Sequence, residues 1–245
     1  MSLSGKRALV SGGSRGIGAA IARTLAAAGA DVAITFEKSA GLAAEVVRDI
    51  EAAGRRAIAI QADNANVDAV QKSVATTVAR FGGLDILVNN AGILRLATLK
   101  DMSLEDINAL LDINIRGPIV ASKAAIPHLG KGGRVITIGS FFANNVPLPM
   151  LGVYAATKTA LIGLTKGLAR ELGPIEATAN LVQPGSIDTD MNPAEGPFKE
   201  ATLSGVAIRR YGRGGDIAST VAFLASADAQ YITGATLTVD GGFTS

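Results

Sequence analysis

Ser11-Gly12-Gly13-Ser14-Arg15-Gly16-Ile17-Gly18 is the stretch that decides the fold. It follows Arg7-Ala8-Leu9-Val10, a short apolar run suited to a buried first strand. It opens a segment over 17–29 in which Ile21, Leu25 and Ala28 recur at helical spacing. A strand, a glycine turn and a helix in that order form a phosphate site. The glycines let the backbone turn tightly against a diphosphate, and the helix N-terminus offers unpaired N–H groups and the positive end of its dipole. The spacing here is Gly-x-x-x-Gly-x-Gly, a departure from the general dinucleotide fingerprint Gly-x-Gly-x-x-Gly.

Working outward, strands and helices alternate. Residues 31–35 read as a second strand and 39–53 as a helix closed by Gly54. Ala57–Gln61 is a third strand with Asp63 just past its end, and Val67–Phe81 is a helix with Val67, Val70, Val74 and Val78 along one stripe. Residues 84–88 form a fourth strand running into Asn89-Asn90-Ala91-Gly92. Ser103-Leu104-Glu105-Asp106 is a capping box opening a long helix, with Ile107, Leu110, Leu111 and Ile115 as its stripe and Asn114 beside it. Arg134–Ile138 leads to Gly139-Ser140; 152–173 is the longest helix, striped by Leu161, Leu164, Leu168 and Leu172; 178–182 leads to Pro184-Gly185; 216–225 and Thr236–Val239 close the series. The pattern predicts one α/β domain over 1–245, a doubly wound parallel sheet of Rossmann type with helices on both faces. In such a sheet ligands bind past the C-terminal strand ends, where the strand order reverses.

Composition narrows the function. The 245 residues are 48% apolar, and no linker or charge run divides them. Lys and Arg total 23 against 21 Asp and Glu, well dispersed, which gives no support for a nucleic-acid face. With no cysteine, thiolate and disulfide chemistry are excluded. The single histidine, His128, cannot by itself build a zinc site or a Ser-His-Asp triad and reads as a helix-end surface residue, so no metal is expected. No apolar signal core or membrane-length run is present, which leads to the expectation of a cytoplasmic protein with no membrane partner.

The chemistry lies at the strand ends. Tyr154 and Lys158, four residues apart, fall on one helical face one turn apart. An ammonium near a phenol favours the phenolate and draws its pKa toward a range useful for proton transfer. Asn114 is an amide within an apolar stretch, and such a group must find partners, whether in a satisfied core or in a site. Ser140 alone reads as readily as a cap.

Taken in order, Gly-x-x-x-Gly-x-Gly, Asn89-Asn90-Ala91-Gly92, Asn114, Ser140, Tyr154-x-x-x-Lys158, Pro184-Gly185-x-x-x-Thr189 and the closing Asp240-Gly241-Gly242 resemble the short-chain dehydrogenase/reductase family over the whole chain. The resemblance implies hydride transfer between a nicotinamide cofactor and a carbonyl or alcohol. Tyr154 would be general acid in reduction and base in oxidation, Ser140 would bind the substrate oxygen, and Lys158 would hold the nicotinamide ribose and depress the tyrosine pKa. Asn114 would position a water in a proton relay from Lys158. The cofactor would lie against Gly12, Ser14, Arg15, Gly16, Ile17 and Gly18, with Asp63 and Asn64 at the adenine and Asn90, Ala91 and Gly92 on the adenosine ribose side. Pro184, Gly185, Ile187 and Thr189 would complete the cofactor site beside Tyr154 and Lys158. Two departures stand out: Ser11 replaces a threonine, and the 140–154 interval is one residue longer than the commonest spacing.

Cofactor choice rests on opposed signs. Glu37 stands near the spot where an acid grips the ribose 2′-OH of NAD, but Phe36 occupies the end of the second strand. Arg15, inside the glycine turn, would meet a 2′-phosphate, as the resemblance implies, and Lys38 and Ser39 add a second cation and a hydroxyl at the start of the next helix, which together favour NADPH. The stretch from Gln183 to Pro197 is similar to a bacterial subgroup of carbonyl reductases that includes a cyclic-di-GMP-binding biofilm-dispersal protein. The expected activity is therefore NADPH-dependent reduction of a ketone or aldehyde, with a nucleotide-sensing protein or an NAD-dependent alcohol dehydrogenase as alternatives. Residues 190–211 are expected to form a substrate lid. Met191, Pro193, Pro197, Phe198 and Leu203, with Phe141, Phe142, Leu148, Met150 and Leu151, would make an apolar pocket. The resemblance and the leucine stripe of the longest helix lead to the expectation of a homo-tetramer.

Overall fold

A computed structural model describes residues 2–196 and 199–245, so Pro197 and Phe198 of the expected pocket lie outside the described residues. Seven strands form one parallel sheet: β1 (Arg7–Val10), β2 (Asp31–Phe36), β3 (Ala57–Gln61), β4 (Ile86–Asn89), β5 (Arg134–Ile138), β6 (Thr178–Pro184) and β7 (Thr236–Val239). Their order is β3-β2-β1-β4-β5-β6-β7, so the winding direction reverses between β1 and β4. Both faces of the sheet are buried, which is why its inner strands read as continuous apolar runs rather than alternating ones. Ala8 and Val10 of β1 join Val32, Ile34, Ile86 and Val88 under helices α1 (Gly16–Ala27), α2 (Ala40–Ala52) and α8 (Gly214–Ala225). Leu9, between them, points the other way with Ala33 and Leu87, under α3 (Val67–Phe81), α5 (Gly117–Ala125) and α6 (Gly152–Leu172). On α3 the buried face is Val70, Ser73, Val74, Thr77 and Phe81; Val67 is left exposed. The β1–β4 pairing is fastened at its start by Arg7, whose guanidinium meets Asp85 at 2.6 Å across 78 residues of sequence.

The long helix expected after the Ser103 capping box is broken in two. The cap itself forms, Ser103 Oγ accepting from the Asp106 N–H at 3.0 Å. Helix α4 (Leu104–Leu111) then runs into a π-helical turn over Asp112–Arg116 before α5 begins. The wider π turn rotates the face presented to the sheet, so Asn114 is buried while Leu111, expected in the stripe, is 41% exposed. Asn64 Nδ2 donates to the Ile113 carbonyl at 2.8 Å and satisfies an acceptor within the turn. Gly117 makes room for that amide: a Cβ there would fall on the Asn64 side chain and 2.8 Å from the Asn64 carbonyl oxygen.

Between β6 and α8 lies α7 (Lys199–Gly205). Of the leucine stripe on α6, Leu161, Leu168 and Leu172 are buried within the chain, whereas Leu164 is half-buried. His128 is exposed at the end of a 3₁₀ turn, as its sequence context indicated. No described helix is long and apolar enough to cross a membrane.

Gly117→Ala is expected to lower the free energy of unfolding by about 1–3 kcal/mol, the usual cost of overpacking, in urea denaturation. Gly215→Ala, where a Cβ meets nothing within 4 Å, should leave the midpoint unchanged or slightly raised.

Candidate active site

The crevice at the order reversal is built by the loops after β1 and β4. Ser11 Oγ accepts from the Asn90 and Ala91 N–H groups at 2.9 and 3.0 Å, so the hydroxyl kept in place of threonine ties the two loops together. Asn90 Nδ2 donates to the carbonyls of Ser11 and Gly12 at 2.9 and 3.1 Å. Its side chain thus shapes the glycine turn from behind, a role the sequence reading did not assign. Gly12 and Gly16 have φ of +62° and +55°, the left-handed region that glycine tolerates. A Cβ on Gly18 would strike the Gly12 carbonyl oxygen, and one on Gly12 would stand 3.0 Å from Ala91 Cα. Thr35, which the sequence reading missed, takes the Gly12 N–H on its hydroxyl at 3.0 Å. Helix α1 then starts with no side-chain cap and no acidic residue in its first turn. Its leading N–H groups therefore face the crevice as anion donors.

The expected cofactor residues divide into two groups. Gly12, Ser14, Gly16, Ile17 and Gly18 line the start of α1, with Thr189 against Gly16: a Cβ there would lie 3.4 Å from Thr189 Cγ2. Other assignments have structural partners already. Asn64 is bound to Ile113, Asp63 Oδ1 accepts from the Ala65 N–H at 2.9 Å, and Gly185 is required by Asp240, whose Cα would be 2.5 Å from a Cβ. Ile187 is buried and bridges to Gly212. The two cations are exposed and ion-paired, Arg15 with Asp190 at 3.2 Å and Lys38 with Glu37 at 2.7 Å. Ser39 stands at the N-cap of α2 without capping it. A cleft of about 390 Å³ opens beside this corner, lined by Ser14, Arg15, Gly16, Arg23, Asp190 and Gly214 among others.

Asn114, Ser140, Tyr154 and Lys158 are brought together at the ends of β4 and β5. Asn114 is satisfied on every side: Oδ1 accepts from the Ile93 N–H at 2.9 Å, and Nδ2 donates to the Ile93 carbonyl at 3.0 Å and Thr157 Oγ1 at 3.1 Å. Thr157 donates in turn to the Tyr154 carbonyl at 2.7 Å. Asn114 thus joins the 91–95 loop to the start of α6, and Thr157 is a member of the site that only its place inside Tyr-x-x-x-Lys could have signalled. Lys158 is buried; its Nζ donates to the Ile138 carbonyl at 3.2 Å and sits 5.8 Å from the Tyr154 ring centroid. A Cβ on Gly92 would lie 3.3 Å from both Lys158 Nζ and Asn114 Oδ1, so this glycine leaves the gap through which the ammonium is reached.

Burial pushes the Tyr154 phenol up to about 12, against a hydrogen bond with Ser140 that pulls it down. Burial brings the Lys158 ammonium down to about 8. The ammonium faces the ring and the Ile138 carbonyl, and desolvation of the phenolate sets the direction of the tyrosine shift. The residues of the expected apolar wall differ in exposure. Phe141 and Leu151 are buried in the chain's own packing, whereas Leu148 and Met191 remain exposed.

A family model described as enoyl-(acyl carrier protein) reductase matches residues 12–244. The chain is 57% identical to a short-chain dehydrogenase from Burkholderia cenocepacia J2315 solved in complex with NADP, with a TM-score of 0.99 and all of both chains covered. It is 42% identical over 239 residues to the cyclic-di-GMP-binding biofilm dispersal mediator protein of Escherichia coli (strain K12), covering 98% of this chain and 97% of that one. It is 42% identical over 240 residues to a 3-oxoacyl-[acyl-carrier-protein] reductase of Staphylococcus aureus (strain Mu50), covering 97% of each.

An ultraviolet difference titration of the parent against Tyr154→Phe should show the Tyr154 phenolate only above its ordinary value of 10. A phenolate that appears below that value would mean that Lys158, not burial, sets this group.

Proposed function

The chain belongs to the short-chain dehydrogenase/reductase family, and within it we propose that it is an NADPH-dependent reductase of a ketone or aldehyde carbonyl, reversible toward the alcohol. The observation that carries this reading is the buried Tyr154 phenol, influenced by the Ser140 hydroxyl and with the Lys158 ammonium 5.8 Å from its ring centroid. NADPH, when bound, supplies the hydride. The chain supplies the proton. With its pKa raised, Tyr154 is protonated at neutral pH and stands ready as the acid in reduction. Ser140 holds the substrate oxygen near that phenol, and the negative charge developing on the oxygen draws the proton from Tyr154 Oη. The buried Lys158 cation offsets the charge that passes to the phenolate, in a site where low dielectric strengthens the effect. Asn114 reaches the same gap through Oδ1 and is assigned to the relay that returns a proton by way of Lys158.

The residues fit a dinucleotide. The uncapped start of α1, the left-handed Gly12 and Gly16 and the gap at Gly92 leave room and donors for a diphosphate and a ribose. NADPH is preferred because Arg15 stands in the turn after β1 and Lys38 just past the neighbouring β2, and because the 57% identical Burkholderia protein was solved in complex with NADP. The four-residue spacing of Tyr154 and Lys158 supports carbonyl rather than enoyl reduction. Segment 190–211 is assigned as the cover of the substrate, and a cytoplasmic homo-oligomer, a tetramer by family resemblance, as the working form. Leu99, Leu104, Leu111 and Ile119, exposed on and beside α4 and α5, support the contact.

Tyr154→Phe should lower kcat/KM for ketone reduction by about 10²–10⁴-fold, the usual contribution of a general acid, with NADPH binding retained. Cyclic-di-GMP binding by a parent that reduces no ketone would overturn the reading in favour of the nucleotide-sensing alternative.

The ratio of kcat/KM for NADPH over NADH should exceed one and fall about tenfold or more in Arg15→Ala, the order expected for losing one charge-assisted phosphate contact. An unchanged ratio would return Glu37 to the role of ribose ligand.

A further inference from the structure

The segment after β7 packs beside the residue that follows Ser140. After β7, the Asp240 carboxylate accepts from the N–H of Gly242 at 2.9 Å and from the N–H and hydroxyl of Thr244 at 2.9 and 2.7 Å. Gly241 and Gly242, at φ +66° and +80°, supply the left-handed turn this clamp needs. The turn lies along residues 205–208: the Gly241 carbonyl accepts from the Ile208 N–H at 3.1 Å, and a Cβ on Gly242 would stand 2.8 Å from Ala207 Cβ. Gly205, the last residue of α7, has no side chain where a Cβ would sit 2.6 Å from the Phe243 ring. On its other side Phe243 meets the Phe141 ring edge-on, with centroids 4.8 Å apart. Phe141 follows Ser140 and stacks with Phe142 at 4.1 Å, and Phe142 meets Tyr154 edge-on at 6.4 Å. An aromatic run therefore joins Phe243 to the proposed proton donor.

We propose that Phe243 is a positioning residue that sets substrate specificity: its ring pins the end of α7 to the Ser140–Phe142 segment and fixes the wall that meets a bulky carbonyl substituent. The inference rests on the reductase reading of the Tyr154 site. The half-buried ring touches neither Tyr154 nor Ser140 in these contacts and acts through Phe141. Because Gly205 admits the ring and nothing larger on its own side, a methyl group there should disturb the same wall from the opposite direction.

The test uses Phe243→Ala, Phe243→Tyr and Gly205→Ala, with acetone as the small ketone and acetophenone as the bulky one, each with NADPH. Phe243→Ala should raise KM for acetophenone by about three- to tenfold, the scale of one lost aromatic pair. Its kcat, the KM for acetone and the Kd of NADPH should each stay within about twofold, the split expected when only substrate binding is touched. Phe243→Tyr should restore the acetophenone KM, and Gly205→Ala should raise it. Limited trypsin digestion gives a readout independent of activity: cleavage after Lys199, Arg209 and Arg210 should be about threefold or more faster in Phe243→Ala, as local opening becomes easier. Parent-like KM values with a parent-like cleavage rate would overturn the proposal. So would an equal loss toward both ketones that Phe243→Tyr fails to rescue, since that marks a general folding role. If the parent reduces neither ketone, the reductase reading fails, and the cleavage rates alone decide whether Phe243 pins α7.

Discussion

The approach of the β1 loop to the β4 loop is the contact on which the rest of the structure depends. One hydroxyl, Ser11 Oγ, receives two backbone amides from the far loop, and one amide, Asn90 Nδ2, returns to two carbonyls of the near one. These four bonds cross the point where the sheet reverses its order. They close only because Gly18 has no side chain to meet the Gly12 carbonyl. The glycines of this turn thus serve two masters: some leave space for a ligand, and others let the protein bond to itself closely enough to form the crevice at all.

The Tyr154–Lys158 pair shows how burial can divide labour between two ionisable groups. A phenol and an ammonium placed in the same low-dielectric corner are pushed in opposite directions, each toward its neutral form. The phenol becomes a reluctant acid that holds its proton until a stronger base, a substrate oxygen gaining charge, is presented. The ammonium becomes a group whose charge is costly to keep, so it gains most from any anion brought beside it. Neither shift would follow from the pair on an exposed helix face, where water would level both.

Much of this was legible in the sequence, for identifiable reasons. β1, β3, β5, β7 and α3 end where turn residues or polar caps end their apolar patterns, so their limits could be read directly. The π turn at Asp112–Arg116 could not. Its stripe of Ile107, Leu110, Leu111 and Ile115 fits an ordinary helix, and the group that satisfies the turn, the Asn64 amide on Ile113, comes from a loop 49 residues away. The four proposed catalytic positions were legible because their order along the chain is distinctive. The partners that fix them, Thr157, Thr35 and the backbone of Ile93, are residue types too common to announce themselves. Ion pairing was likewise hidden: Arg15 and Asp190 are separated by 175 positions, and only the fold makes them neighbours.

The Arg7–Asp85 bridge has a further consequence, for the time at which the site comes into being. Parallel pairing of β1 with β4 must wait until both strands and the three helical crossovers between them have emerged, and closing so long a loop is costly before it is rewarded. A nascent chain that ends before Asp85 holds the glycine turn but neither Asn90 to shape it nor Gly92 to face it. Nucleotide therefore cannot template the first half of the domain during synthesis. Its stabilising effect begins only once the fourth strand has docked, and the free energy of binding then favours the assembled sheet over any half-built one.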